Sequence, residues 1–168
     1  MHLGAATDRA FLAEIPEGPE GIARTLAVMR VIVRHYKRDP EIIALVSSLL
    51  ADLPARDYAA EIETLHAYVR DSIRYQDDVN GVETVRTPPV TLEQGVGDCD
   101  DQATLLATLL EAAGKPTRFV AAGFYGGDLS HVWTEVKVGE SWYALETTEP
   151  VAMGWRPSGI TTRMTVYN

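Results

Sequence analysis

The sequence predicts an α+β fold in which N-terminal helices and a central helix carrying the single cysteine pack on an antiparallel sheet. Three observations predict it. Apolar residues recur at helical spacing through residues 19–75, a second helical stripe runs through residues 103–113, and a strand-like pattern takes over after Pro116. Helices followed by strands is the order of an α+β chain, not of alternating βαβ units. With 168 residues, 46% of them hydrophobic and 8% aromatic, the chain can build one core of ordinary size. A loose arm, residues 1–18, is expected ahead of a single domain, residues 19–168. That domain divides into a helical part, 19–75, and a core, 76–168, that would hold the chemistry.

In the helical part, Ile22, Leu26, Met29, Val33 and Tyr36 define one apolar stripe. Ile42, Leu45, Leu49 and Leu53 define a second, and Ile62, Leu65, Val69 and Ile73 a third. Asp39-Pro40 and Asp57 mark boundaries, because proline suits a first helical turn and aspartate accepts hydrogen bonds from the amides exposed there. The stretch "QDDVNGVETVRTPPVTLEQGVGD" follows, rich in Gly, Pro and acids and without sustained period. It is expected to be an irregular loop, and long irregular loops in compact domains commonly serve binding or active sites.

Ala103, Leu106, Leu109, Leu110 and Ala113 then mark a helix that Gly114 ends and Pro116 keeps from continuing. Cys99 lies four residues before Ala103, so it falls in the first turn, on the buried stripe. The segments "TRFVAAGFY", "HVWTEVKV", "SWYALETT" and "GITTRMTVYN" are expected strands, with a hairpin at "VGES". In the second of these, His131, Trp133, Glu135 and Lys137 alternate with Val132, Thr134, Val136 and Val138, the pattern of a half-covered sheet.

Composition narrows the function. A net charge of −9 argues against a general nucleic-acid binder or a protein of anionic membranes, both of which would meet long-range repulsion. One cysteine allows no disulfide within the chain, and no CxxC pair suggests a zinc site. The first twenty residues lack the basic start and apolar stretch of a signal peptide, and no run reaches the roughly 18 apolar residues of a membrane span. Cytoplasmic synthesis is expected, without excluding later incorporation in a larger particle.

Cys99 sits in "GVGDCDDQATLL" at a helix start, where unpaired amides and the positive end of the helix dipole favour an anion. A thiol that attacks as thiolate also needs a group to take its proton. Of the four histidines, His2 falls in the arm, and His35 and His66 fall in helices, where they read as surface or helix-side polar residues. His131 opens a strand after a Gly-rich turn, where a sheet edge can present an imidazole to a helix end. Glu146, on the following strand, can lie beside His131 and orient it. Asp98, Asp100 and Asp101 read as caps or loop ties; a metal site made of them with His131 is the weaker alternative.

The blocks "GVGDCDDQATLLATLLEAAGKPTRFVAAGF" and "HVWTEVKVGESWYALETTEP" resemble the transglutaminase-like, papain-related cysteine-enzyme superfamily. "RTPPVTLEQGVGDCDD", "LETTEP" and "MGW" are most similar to its small bacterial, prophage and phage members. The resemblance implies Cys99 as nucleophile, His131 as general base and acid, and Glu146 in the place of the orienting acid, where the family usually has Asp; the neighbouring Thr147, Thr148 and Glu149 are the alternatives for that place. The resemblance does not fix the second oxyanion donor; Gln94, five residues before Cys99, is the chemically suitable candidate, since papain-like enzymes use a glutamine ahead of the cysteine. The implied activity is acyl transfer at amide bonds, with hydrolysis of a protein or peptide substrate as the default. No cofactor and no metal are implied. The alternative is a structural or assembly module of a phage or prophage, partnered by other phage structural proteins, with the triad inert. Trp133, Trp142 and Trp155 read as packing residues, Trp133 and Trp155 being the two suspected of lining a cleft.

Overall fold

A computed structural model describes residues 18–77 and 84–168; the expected arm, save its last residue, lies outside them. The helical part contains α1 (Pro19–Tyr36), α2 (Pro40–Leu50) and α3 (Tyr58–Ser72). Asp39 caps α2, accepting from the amides of Glu41 at 2.8 Å and Ile42 at 3.3 Å, and Asp57 caps α3 through the amide of Ala60 at 3.1 Å. Each such cap is worth about 1 kcal/mol over alanine. The second helix is shorter than its apolar stripe suggests. Leu53 falls in the turn that follows, because Pro54 disfavours a helical conformation in the residue before it.

The stretch expected to be irregular contains two regular elements. After β1 (Arg74–Tyr75) come α4 (Pro88–Gln94) and β2 (Val96–Gly97), and β2 pairs in parallel with β1. Pro88 and Pro89 open a first helical turn without losing any hydrogen bond, and Gly95 ends the helix at a φ of 64°. Seven residues are too few for a period to show in the sequence.

Helix α5 (Cys99–Ala112) is the axis of the molecule. It packs against α1, α2, α3 and α4 on one side and the sheet on the other, so every residue from 101 to 110 is buried. A helix enclosed all round carries apolar residues all round, and Leu105, off the expected stripe, is as buried as Leu106 and Leu109. One core cluster joins α2, α3, α5 and the sheet through Ile42, Leu65, Leu106, Val136 and Leu145. Another joins α1, α5 and the sheet through Leu26, Met29, Ala107, Phe119 and Val132, with Cys99 packed against it.

The sheet is antiparallel, in the order β5 (Ser141–Leu145), β4 (Leu129–Val138), β3 (Thr117–Phe124), β6 (Ile160–Tyr167). Its two middle strands pair Ala122 with His131 and Val120 with Trp133. Both faces are covered through the middle, which corrects the half-covered sheet expected from alternation. Val132, Thr134 and Val136 face α5. On the far face Val120, Ala122, Trp133 and Ala144 form a third cluster, and Glu135 is buried among arginines. The alternation is real, but its polar half is satisfied inside the protein. No helix among the described residues is long and apolar enough to cross a membrane.

Candidate active site

Cys99 is the first residue of α5, and an aspartate cap sets its position. The Asp98 side chain accepts from the amides of Asp100 and Asp101, both at 3.1 Å, while Asp101 reaches back to the Asp98 amide at 3.4 Å. Asp101 is fully buried and also binds Arg86, through its main-chain amide at 2.7 Å and its guanidinium, which ties the preceding loop to the helix. A Cβ on Gly97 would lie 2.7 Å from the Asp101 Cβ, so the residue before the cap has no room for a side chain. The expected roles of Asp98 and Asp101 as cap and loop tie are therefore those the structure contains.

Asp100 departs from that expectation. Its Oδ1 lies 3.7 Å from Cys99 Sγ. Burial, and then the nearby charges of Asp100 and Asp98, push the thiol well above its ordinary pKa, against a main-chain hydrogen bond with Val132 that acts the other way. The helix end alone predicts a lowered value; enclosure and two carboxylates outweigh its dipole.

His131 stands on β4 just after a tight turn. At Gly123, opposite this turn, a Cβ would lie 2.5 Å from the Gly127 carbonyl oxygen, and the β3–β4 register shifts there to bring the turn close. The His131 ring lies against Trp133 and Phe124, with centroids 6.0 and 6.5 Å away. Its Nε2 is 2.6 Å from Glu146 Oε2. Glu146 follows Leu145, the last paired residue of β5, and is 1% exposed. Its other oxygen accepts from the amide and hydroxyl of Thr148, both at 2.8 Å. Burial works against ionisation of Glu146, but the bonds from His131 and Thr148 outweigh it and hold its pKa below the usual carboxylate value. Thr148, two residues after the acid, serves it as a donor.

Two hollows meet at His131. One, of about 180 Å³, is lined by Cys99, Asp98, Asp100 and Asp77 as well as Tyr75 and His131. The other, of about 330 Å³, shares Tyr75 and His131 and adds Phe124, Glu146, Glu149 and Trp155. Cys99 thus lines one hollow, Glu146 the other, and His131 both. Gln94 is at the end of α4, exposed, and lines neither hollow. Trp155 lines the cleft as expected, whereas Trp133 is buried behind His131 and does not. Trp142 packs under the Arg118 guanidinium at 4.3 Å.

The sequence reading missed two residues. Tyr75, in the wall between the hollows, donates its hydroxyl to Asp77 at 2.9 Å, and burial raises its pKa. His66, read as a helix-side polar residue, is buried and reaches the main chain of Glu146. The pairing of a strand ending in "IRY" with the residues just before the cysteine was the available signal for Tyr75; a contact spanning 80 positions left none for His66. Among the described residues no three His, Cys, Asp or Glu side chains gather as a metal site would need, and Asp98 and Asp101 are committed to the helix start.

Residues 47–147 match the family described as the transglutaminase-like superfamily. The chain belongs to that superfamily. Two solved structures share the fold of this transglutaminase-like chain. One is a candidate cysteine protease from Cytophaga hutchinsonii, 16% identical, with a TM-score of 0.56 over 79% of this chain and 48% of that one. The other is a candidate protease from Parabacteroides distasonis, also 16% identical, with a TM-score of 0.58 over 73% of this chain and 26% of that one. The transglutaminase-like chain therefore spans about half the length of the first and about a quarter of the second. No curated protein matches its sequence.

Proposed function

We propose that this protein carries out cysteine-dependent acyl transfer at amide bonds, with water as the final acceptor, as a peptidase or amidase acting on a protein or peptide. The observation that carries the reading is the 2.6 Å bond between Glu146 and the Nε2 of His131, a residue that also lines the hollow holding Cys99. With Nε2 donating to the carboxylate, Nδ1 is the nitrogen left to take a proton. Because the thiol is held protonated, its proton passes to Nδ1 as Sγ bonds the acyl carbon, so no thiolate stands ready beforehand. The oxyanion faces the Cys99 amide at the helix start. Tyr75, at the cleft where Gln94 is not, supplies the second donor by turning its hydroxyl from Asp77. His131 returns the proton to the leaving amine; water, deprotonated by the same nitrogen, then releases the acid and restores the thiol. No cofactor enters this cycle.

A second reading is favoured by one observation, the raised thiol pKa. In it the fold is a structural or assembly module, as in a phage particle, and the triad is inert.

The test is the pH dependence of Cys99 alkylation by iodoacetamide in the wild type and in His131→Ala. The enzyme reading expects His131→Ala to slow alkylation near neutral pH and to change the shape of the profile. Identical profiles in the two proteins would sink it and put the structural module first.

A further inference from the structure

His66 lies in α3, 2% exposed, among the apolar residues Ile62, Leu65 and Val69 of the same helix. Its Nε2 is 2.5 Å from the main-chain oxygen of Glu146, 80 positions away. A carbonyl oxygen only accepts, so Nε2 carries the proton and His66 is held in that tautomer. Burial lowers its pKa against the opposing pull of this hydrogen bond, which keeps the ring neutral. One turn along the helix, Arg70 donates from NH1 to the carbonyl of Val151 at 3.0 Å. Two bonds from α3 thus pin both ends of the segment 146–151. A third, from the Gly154 amide to the Ala144 carbonyl at 2.7 Å, holds the next residues to the sheet.

A leucine or phenylalanine in place of His66 would fill the core without the cost of desolvating an imidazole, so packing alone does not account for it. Its bond goes to the one residue whose carboxylate orients His131. Glu146 stands just past the last paired residue of β5, where the sheet no longer fixes the chain.

We infer that His66 is a positioning residue: it fixes the main chain at Glu146 so that the carboxylate meets His131 Nε2. This rests on the proposed roles of Cys99, His131 and Glu146. The causal order is short. The α3 imidazole sets the peptide, the peptide sets the carboxylate, and the carboxylate sets the ring that faces the thiol.

The experiment compares wild type, His131→Ala, His66→Phe and His66→Gln in the whole chain, reading the pH profile of Cys99 alkylation by iodoacetamide and the nitrogen-bound proton of His131 by NMR. Phe fills the space without a donor, whereas Gln carries an amide nitrogen at nearly the reach of Nε2. His66→Phe is expected to slow alkylation roughly tenfold and to lose the protected His131 Nε2 proton, while His66→Gln stays within about threefold of wild type. A folded His66→Phe with the wild-type profile and the proton retained overturns the inference, as does an equal loss in both variants. If His66→Phe does not fold, His66→Asn, too short for the carbonyl, is read in its place: the same slowing supports the inference and a wild-type profile overturns it. A wild type indifferent to His131→Ala removes the roles of the three residues, and this inference with them, a result no His66 variant can mimic.

Discussion

Two carboxylates are buried on the same sheet, and they are held in opposite ways. Glu135, in the middle of β4 and fully buried, accepts from three arginines: Arg118 at 2.8 Å through Nε, Arg156 at 3.0 Å and Arg163 at 3.1 Å. Glu146, one residue past β5 and almost as buried, is met by an imidazole and a threonine. A guanidinium carries only donors, whereas an imidazole has a second ring nitrogen that can take a proton. Glu135 thus joins β3, β4, β6 and the residues after β5 with charges that do not change. Glu146 keeps its charge beside a group able to gain and lose one. The first arrangement stabilises a structure; the second leaves a proton free to move at a fixed place.

The largest effect expected from this contrast is at Glu135. Replacing it with Ala leaves three guanidinium groups without their common partner and should cost about 3–5 kcal/mol in urea unfolding. The alkylation rate of Cys99 in the folded fraction should not change. At Glu146 the order reverses. Glu146→Gln keeps the volume and should cost about 1–3 kcal/mol of stability, the range for a disturbed buried hydrogen-bond set. Its alkylation profile should move towards that of His131→Ala. If Glu135→Ala altered the profile and Glu146→Gln altered only stability, the division between the two carboxylates would be wrong.

The same contrast explains what could be read in advance. The places of Cys99, His131 and Glu146 in the fold were legible because each sits at a landmark of local pattern: a helix start before an apolar stripe, a strand start after a Gly-rich turn, and the end of the next strand. The pairing of β4 with β5 followed from the hairpin at Gly139. The supporting residues were not legible, because their roles are contacts between distant segments. Arg118, Arg156 and Arg163 look like ordinary surface cations until the strands bring them to Glu135. Helix α4 was hidden by its paired prolines and short length. Gln94 was carried over from a resemblance, and the turn after α4 leaves it outside the cleft. Asp100 reads as a cap or loop tie from its place at the helix start, yet its side chain lies 3.7 Å from the sulfur, which spacing along a helix cannot foretell.

Acid should separate the buried groups by pH. His66 has its folded pKa lowered from 6.5, so below 6.5 the unfolded chain binds the proton more readily and stability falls as the pH drops towards the folded value. Glu146 also has its folded pKa lowered, from 4.5; its contribution is complete above 4.5 and is lost as the pH falls through the folded value. Two descents are expected, one beginning near 6.5 and one below 4.5, each with a slope of at most about 1.4 kcal/mol per pH unit per proton. Urea unfolding across this range should show the upper descent vanish in His66→Gln and the lower one weaken in Glu146→Gln. Persistence of the upper descent in His66→Gln would assign it to another group.

The smallest effect on stability is expected at Asp100, and it runs against the effect on reactivity. An acid in the first turn of a helix contributes about 0.3–1 kcal/mol through the dipole, so Asp100→Asn should lower stability by no more than that. The same change removes the nearest negative charge from Cys99 Sγ, and the thiol should titrate at lower pH than in the wild type. Burial, the first cause of the raised value, remains, so the thiol should still titrate above the ordinary cysteine range. Faster alkylation at neutral pH in a slightly less stable protein is therefore the expected pair of results. It would mean that Asp100 keeps the thiol protonated until a substrate enters and His131 takes the proton. Slower alkylation would reverse that role and make Asp100 an acceptor that helps the proton leave.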